Sequence, residues 1–216
     1  MYHNGSGDIM FRPRLAMVRG LQQKGISAGS VLDAMLNVPR HLFVSDALRY
    51  RAYDDTSLPI GFGQTISTPS VVASMVQALK LTGDERVLEI GSGSGYQAAV
   101  LAELACEVTA MERIPELADR SRSVLSGLGY SVRVVTGDDF NSVESLFDRI
   151  IVAAGAPVMP YDLLEKLEPG GILVIPVSEK GMGHSIKRFV RKKDGAFFEE
   201  VIGMANFVPY VTGGVR

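Results

Sequence analysis

From Gly83 to Val177 short apolar runs alternate with stretches of helical period, and no other feature constrains the fold as much. Strands are expected at Arg86–Ile90, Glu107–Glu112, Ser131–Thr136, Asp148–Ala153 and Ile172–Val177. Helices are expected between them at Gly95–Leu104, Pro115–Leu128 and Met159–Leu167. Short apolar strands separated by amphipathic helices imply a mainly parallel sheet covered on both faces. Two further strands, Ser185–Arg191 and Ala196–Val201, are joined through Asp194-Gly195, a strong hairpin signal. The sheet should therefore finish with antiparallel strands, giving an α/β, doubly wound fold with an antiparallel C-terminal edge.

The first 82 residues read differently. Leu15, Val18 and Leu21 share one face of a helix expected over Met10–Lys24, with Gly25 as its stop. Ser30 is a candidate cap for a short helix over Val31–Leu36, and Pro39 ends it. Tyr53–Ser67 reads as an extended loop. Thr68-Pro69 places a cap before a proline at the first helical position, opening a helix to about Lys80. A chain of 216 residues suits one domain, here a helical and loop segment (1–82) followed by the core (83–216).

Composition removes several classes of function. No run of 18 apolar residues is present, so no membrane partner is expected. Met1–Asp8 is polar and lacks the pattern of a secretory signal. A net charge of −2 argues against nucleic acid, which usually demands a basic stripe. The one basic cluster, Lys187-Arg188 with Arg191-Lys192-Lys193, reads as a solvated hairpin end. His3, His41 and His184 show no metal-ligand spacing, and no metal is expected. Cys106 is the single cysteine; it suits a reducing cytoplasm and is expected as a buried thiol at the start of a strand.

The sharpest local signal is Val87-Leu88-Glu89-Ile90-Gly91-Ser92-Gly93-Ser94-Gly95-Tyr96, a strand running into a glycine turn that opens a helix. Such a turn lets a ligand approach backbone amides at a helix N-terminus. A dinucleotide site wants its third glycine at position 96, but Tyr96 stands there and the glycine is Gly95. Glu89 would repel a pyrophosphate and suits a cation such as the ammonium or sulfonium of S-adenosylmethionine. Glu112 ends the next strand, 112 − 89 = 23 residues on, where an acid can accept from ribose hydroxyls. Asp138 follows the third strand, where a carboxylate can accept from an adenine amino group. All three acids sit at carboxyl ends of consecutive expected strands, where ligands bind in such sheets.

Leu58-Pro59-Ile60-Gly61-Phe62-Gly63-Gln64-Thr65-Ile66-Ser67 precedes this core and offers hydroxyls and amides without a base. Together with Val87–Tyr96 it resembles the protein-L-isoaspartate O-methyltransferase family. Further matches are Val38–Val44, Asp148–Pro157, Pro169-Gly170-Gly171 and Phe207-Val208-Pro209, spread from about residue 15 to 210. The resemblance implies a Rossmann-like methyltransferase fold and S-adenosyl-L-methionine as cofactor. It implies Ser67 as the active-site hydroxyl that holds the acceptor carboxylate. Thr65, Ile66, Phe207 and Val208 would line the peptide groove. Glu89 and the turn of Gly91, Ser92, Gly93 and Gly95 would hold the methionine part, Glu112 the ribose and Asp138 the adenine side. Two positions depart from the family pattern: Asp139 follows Asp138 where a glycine is usual, and Ser70 follows Pro69 where an aromatic is frequent.

The missing base is consistent with that chemistry. The α-carboxyl of an isoaspartyl residue has a pKa of about 3.5, like a chain terminus, so it is already ionised and nucleophilic. The expected function is methylation of that carboxylate in damaged proteins and peptides, by a cytoplasmic monomer. Two alternatives stand beside it: a methyltransferase specialised for one peptide aspartate, and a non-catalytic module that binds the same cofactor.

Overall fold

The computed structural model describes residues 9–143, 145–179 and 183–210, so Met1–Asp8 lies outside the described residues. Helix α1 spans Phe11–Gln23 and buries Met17, Val18 and Leu21, as its period requires; Gly25 ends it at φ +91°. Helix α2 spans Gly29–Asn37, two residues earlier than Ser30 as a cap would allow. Ala28 precedes the helix, and no side chain caps it locally. Instead Gln77 Oε1, from a later helix, accepts the amides of Ser27 (2.8 Å) and Ala28 (2.9 Å). A tertiary acceptor has replaced the local one. Two 3-10 turns follow, at Arg40–Phe43 and Asp46–Arg51.

The segment expected as an open loop contains a hairpin. Strand β1 (Leu58–Gly61) pairs antiparallel with β2 (Gln64–Ile66), and Gly61, Phe62 and Gly63 all take positive φ at its tip. Three glycine and proline residues within the run obscure the strand pattern in the sequence. Helix α3 (Pro69–Ala78) then starts as expected, with Thr68 Oγ1 accepting from the Val71 amide at 3.3 Å.

The alternating half forms β3 (Arg86–Ile90), α4 (Tyr96–Ala102), β4 (Glu107–Glu112), α5 (Pro115–Gly127), β5 (Val132–Thr136), β6 (Phe147–Val152), β7 (Leu167–Glu179), β8 (Gly183–Arg191) and β9 (Phe197–Ala205). These strands make one sheet in the order β5-β4-β3-β6-β7-β8-β9. The first five pair in parallel, and β7-β8-β9 is antiparallel, so the edge is the one the Asp194-Gly195 turn requires. From β3 the chain moves outward to β5, then returns to build the other half from β6. The carboxyl ends of β3, β4 and β6 thus meet at a switch point.

The two faces are covered unequally. One apolar cluster joins Val87, Val108 and Ile151 of the sheet to side chains of all five helices. The other, with Leu88, Ile90, Met111, Ile150 and Val152, contains no residue of those helices and is closed by 3-10 turns at Phe140–Ser142 and Tyr161–Lys166. The helix expected at Met159–Leu167 is therefore only a 3-10 turn. Pro160 disfavours helix at Met159, and β7 already begins at Leu167; too few residues remain to repay α-helix nucleation.

Two smaller expectations also change. Cys106 is exposed rather than buried, because it precedes β4 at the rim; its thiol donates to the Asp84 carbonyl at 3.2 Å. The basic cluster is not simply solvated, since Lys187 pairs with Glu199 at 2.8 Å and Arg188 with Glu200 across β8 and β9. None of the helices among the described residues is long and apolar enough to cross a membrane.

Candidate active site

Three adjoining hollows open at the switch point. One cleft is bordered by Gly91, Gly93, Glu112, Asp138, Val208 and Tyr210. Behind it an inner chamber is lined by Thr65, Ser67, Glu89, Ser92, Gly93 and Gln97. An outer groove runs past Ser57, Thr65, Ser67, Asn206, Phe207 and Val208. Thr65 and Ala153 line all three, so the hollows form a continuous path.

The glycine turn is held by its own protein. Gly91 and Ser92 donate to the Met111 carbonyl, at 2.8 and 3.1 Å, and Gly95 donates to the Ser92 carbonyl at 2.8 Å. Gly93 donates to Glu112 Oε2 at 2.8 Å. With those four amides occupied, the turn is poorly suited to cradle a phosphate, and its role is to shape the chamber. Gly95 is a packing residue: a Cβ there would lie 3.1 Å from Ser121 and 3.2 Å from Leu125, and φ is +86°. It touches none of the three hollows, unlike Gly91 and Gly93.

Glu89 is the electrostatic centre of the inner chamber. It shares the helix-covered face with Val87 because side chains alternate along β3. The residue is fully buried, and neither carboxylate oxygen has a hydrogen-bond partner. Burial, with repulsion from Glu112, pushes its pKa up to about 8; the nearby Gln97 amide opposes this. Gln97 Nε2 nevertheless makes no hydrogen bond of good geometry, and Ser92 Oγ is buried without a partner too. Buried polar atoms are normally paired. Four unpaired polar atoms around one chamber mark a place where a polar ligand completes the bonding, and the carboxylate selects a cationic one.

Glu112 is buried at the end of β4, with Oε1 accepting from the Ile114 amide at 2.9 Å. Its oxygens keep spare lone pairs toward the cleft. Asp138 borders the same cleft, while Asp139 turns out to cap the next 3-10 turn by accepting from the Asn141 amide at 2.9 Å. The extra acid of the Asp138-Asp139 pair is thus structural.

On the acceptor side, Ser67 is half-buried, and its hydroxyl makes no hydrogen bond among the described residues. It faces both the inner chamber and the outer groove. Thr65 points the same way, two residues back along the chain. Ile66 points the other way, is buried, and belongs to the inner chamber rather than the groove as expected. Phe207 and Val208 do border the groove. A strap holds them there: Gly155 donates to the Val208 carbonyl and Tyr210 donates to the Gly155 carbonyl, both at 2.8 Å.

Two residues had no assignment from the sequence. Gln97 gave no signal beyond its place after the glycine turn. Arg40 did give one, a lone arginine between Val38 and Phe43. It is fully buried, and its Nε and Nη2 donate to the carbonyls of Ala52 and Ser67, each at 2.7 Å. Its guanidinium lies 4.7 Å from the centre of the Tyr96 ring.

The family described as protein-L-isoaspartate(D-aspartate) O-methyltransferase matches residues 12–214. A relative from Dictyoglomus turgidum named protein-L-isoaspartate O-methyltransferase is 47% identical over 199 residues, 91% of this chain and 90% of that one. One of the same name from Syntrophotalea carbinolica is 45% identical over 207 residues, 94% and 95% of the two chains. Among solved structures, a protein-L-isoaspartate O-methyltransferase superposes with a TM-score of 0.80 at 27% identity, over 93% of this chain and 66% of that one. Another, from Plasmodium falciparum in complex with S-adenosyl-L-homocysteine, gives 0.80 at 24% identity over 93% and 99%, a likeness of fold.

Proposed function

Because the chain belongs to the protein-L-isoaspartate (D-aspartate) O-methyltransferase family, we propose that it transfers a methyl group from S-adenosyl-L-methionine to the free α-carboxylate of isoaspartyl residues in proteins and peptides. The observation that carries this reading is the inner chamber, where an unpaired buried carboxylate adjoins a free hydroxyl facing a peptide-sized groove. The chamber's polar atoms fit the cofactor's amino-acid end: Glu89 would take the ammonium, with Ser92 and the Gly91–Gly93 backbone around it. Glu112 would accept from the ribose, and Asp138 from the adenine side.

When bound, the cofactor supplies an electrophilic methyl on a sulfonium. The protein's part is aim. Ser67 would donate its hydroxyl to one oxygen of the acceptor carboxylate and leave the other to attack in line. Thr65, Phe207 and Val208 would hold the flanking peptide. No proton needs removing, which agrees with an acceptor side that carries no base. Holding two reactants in line is worth roughly 7–11 kcal/mol of barrier. The attacking and departing charges neutralise each other, so burial of the chamber favours the transition state.

We also infer a reducing, cytoplasmic setting from the single cysteine, and a monomer. The test is labelled-methyl transfer to a matched pair of aspartyl and isoaspartyl peptides. Transfer to the isoaspartyl member alone is expected; transfer to neither would leave a cofactor-binding module, and transfer to the aspartyl member a specialised enzyme.

A further inference from the structure

Arg40 carries a buried charge whose only close electronic partner among the described residues is the Tyr96 ring, 4.7 Å away. It is fully buried, Nη1 has no hydrogen-bond partner, and its two bonds go to neutral carbonyls. Among the described residues no carboxylate forms an ion pair with it; the acid that influences it, Asp55, is engaged by Lys24 and by the Ser70 amide at 2.8 Å. Burial holds the guanidinium below its ordinary pKa, but an arginine stays charged regardless. A buried cation without a carboxylate partner is costly. Bridging two loops would not require that charge.

The charge has a place to act. Arg40 Nη2 holds the carbonyl of Ser67, the residue whose hydroxyl faces both the chamber and the groove. The groove itself carries no acid, but the two hollows that adjoin it at Thr65 and Ser67 are lined by Glu89, Glu112 and Asp138, so an anionic acceptor held at Ser67 has acids beyond it. Something must offset that repulsion. We propose that Arg40 is the positioning residue for the acceptor: seated behind Ser67, its unpaired positive charge draws a free carboxylate to that hydroxyl and discriminates against a neutral group at the same position. Tyr96, under the guanidinium and at the start of α4, keeps the charge in register with the glycine turn. The proposal rests on the reading of the outer groove as the acceptor site.

The test compares two peptides, one with an isoaspartyl α-carboxylate and one with the α-carboxamide in its place. Binding of each is measured by calorimetry with S-adenosyl-L-homocysteine present, on wild type, Arg40→Met and Arg40→Lys. Melting curves accompany each variant. Wild type should favour the carboxylate by at least about tenfold, and the preference should persist in added salt, because a buried charge is screened little. Arg40→Met should bring the two affinities together. Arg40→Lys should keep most of the preference, because charge is retained, while slowing turnover because lysine cannot hold both carbonyls in a fork. If Arg40→Met folds and still prefers the carboxylate, the residue is only a loop staple and the proposal is overturned. Should that variant not fold, Arg40→Lys decides alone: a lost preference despite the retained charge overturns it. Wild-type failure to methylate the isoaspartyl peptide would sink the function itself, a result separate from the variants' ratio.

Discussion

Glu112 holds the glycine turn as well as facing the cleft: its Oε2 accepts the Gly93 amide at 2.8 Å while Oε1 accepts the Ile114 amide. The carboxylate thus shapes the site it is proposed to serve. Glu112→Ala should weaken S-adenosyl-L-homocysteine binding by about 2–4 kcal/mol and also lower the melting temperature, since two amides lose their acceptor. Turnover at saturating cofactor should fall much less, because ribose contacts are alike in ground and transition states. Unchanged affinity in calorimetry would mean that another group holds the ribose.

Glu89 should make stability fall as pH rises. Its folded pKa, about 8, lies above the ordinary 4.5, so between these values the folded state binds more proton than the unfolded chain. Without ligand, melting temperature should decline across that window, and Glu89→Gln should flatten the decline and melt higher than wild type near pH 9. The same variant should bind S-adenosyl-L-homocysteine at least about tenfold more weakly, having lost the counter-charge to an ammonium. A wild-type melting profile identical to that of the variant from pH 5 to 9 would show that Glu89 is ionised in the empty protein.

Ser67→Ala should slow methyl transfer about ten- to a hundredfold, the worth of one hydrogen bond to a charged group. Melting should be unaffected, because Thr68 and not Ser67 caps α3. Ser67→Cys should fall between the two rates. Single-turnover measurement on the folded variant decides this, and a normal rate would remove Ser67 from the reaction.

Gly155 tests the strap. A Cβ there would lie 2.0 Å from His184 Nε2, and the other ring nitrogen, Nδ1, accepts the Phe207 amide at 3.4 Å. Gly155→Ala should push the imidazole aside and loosen residues 207–210, weakening peptide binding and lowering the melting temperature. His184→Ala in the same chain removes the clash, so the double variant should recover part of the lost melting temperature. No recovery would place the cost in the backbone of Gly155 instead.

Much of this protein was written in short-range pattern. Strands β3 to β6 and helices α1, α3 and α5 lie within a few residues of where hydrophobic period, glycine and proline put them, because each signal acts over one or two turns of chain. The acids Glu89, Glu112 and Asp138 and the hydroxyl of Ser67 could be chosen from the sequence, since the ends of strands and their loops are where such a sheet binds ligands. Local signals failed where a distant group took over. Gln77 replaced a cap at α2, Pro160 and a short span reduced a helix to a 3-10 turn, and the strap over Gly155 came from residues some fifty positions away.

The sequence by itself determined the alternation of elements, the antiparallel edge and the family to which these motifs belong. Only the tertiary structure decided that the glycine-turn amides are spent within the protein, that Gly95 is closely packed against Ser121 and Leu125, and that Ile66 turns from the groove. It alone revealed Glu89 unpaired in the core and Arg40 buried behind Ser67 without a carboxylate partner. The physical reason is that identity travels along the chain, whereas solvation does not. Whether a charge is paired depends on which groups from other elements surround it, and no sequence window contains them.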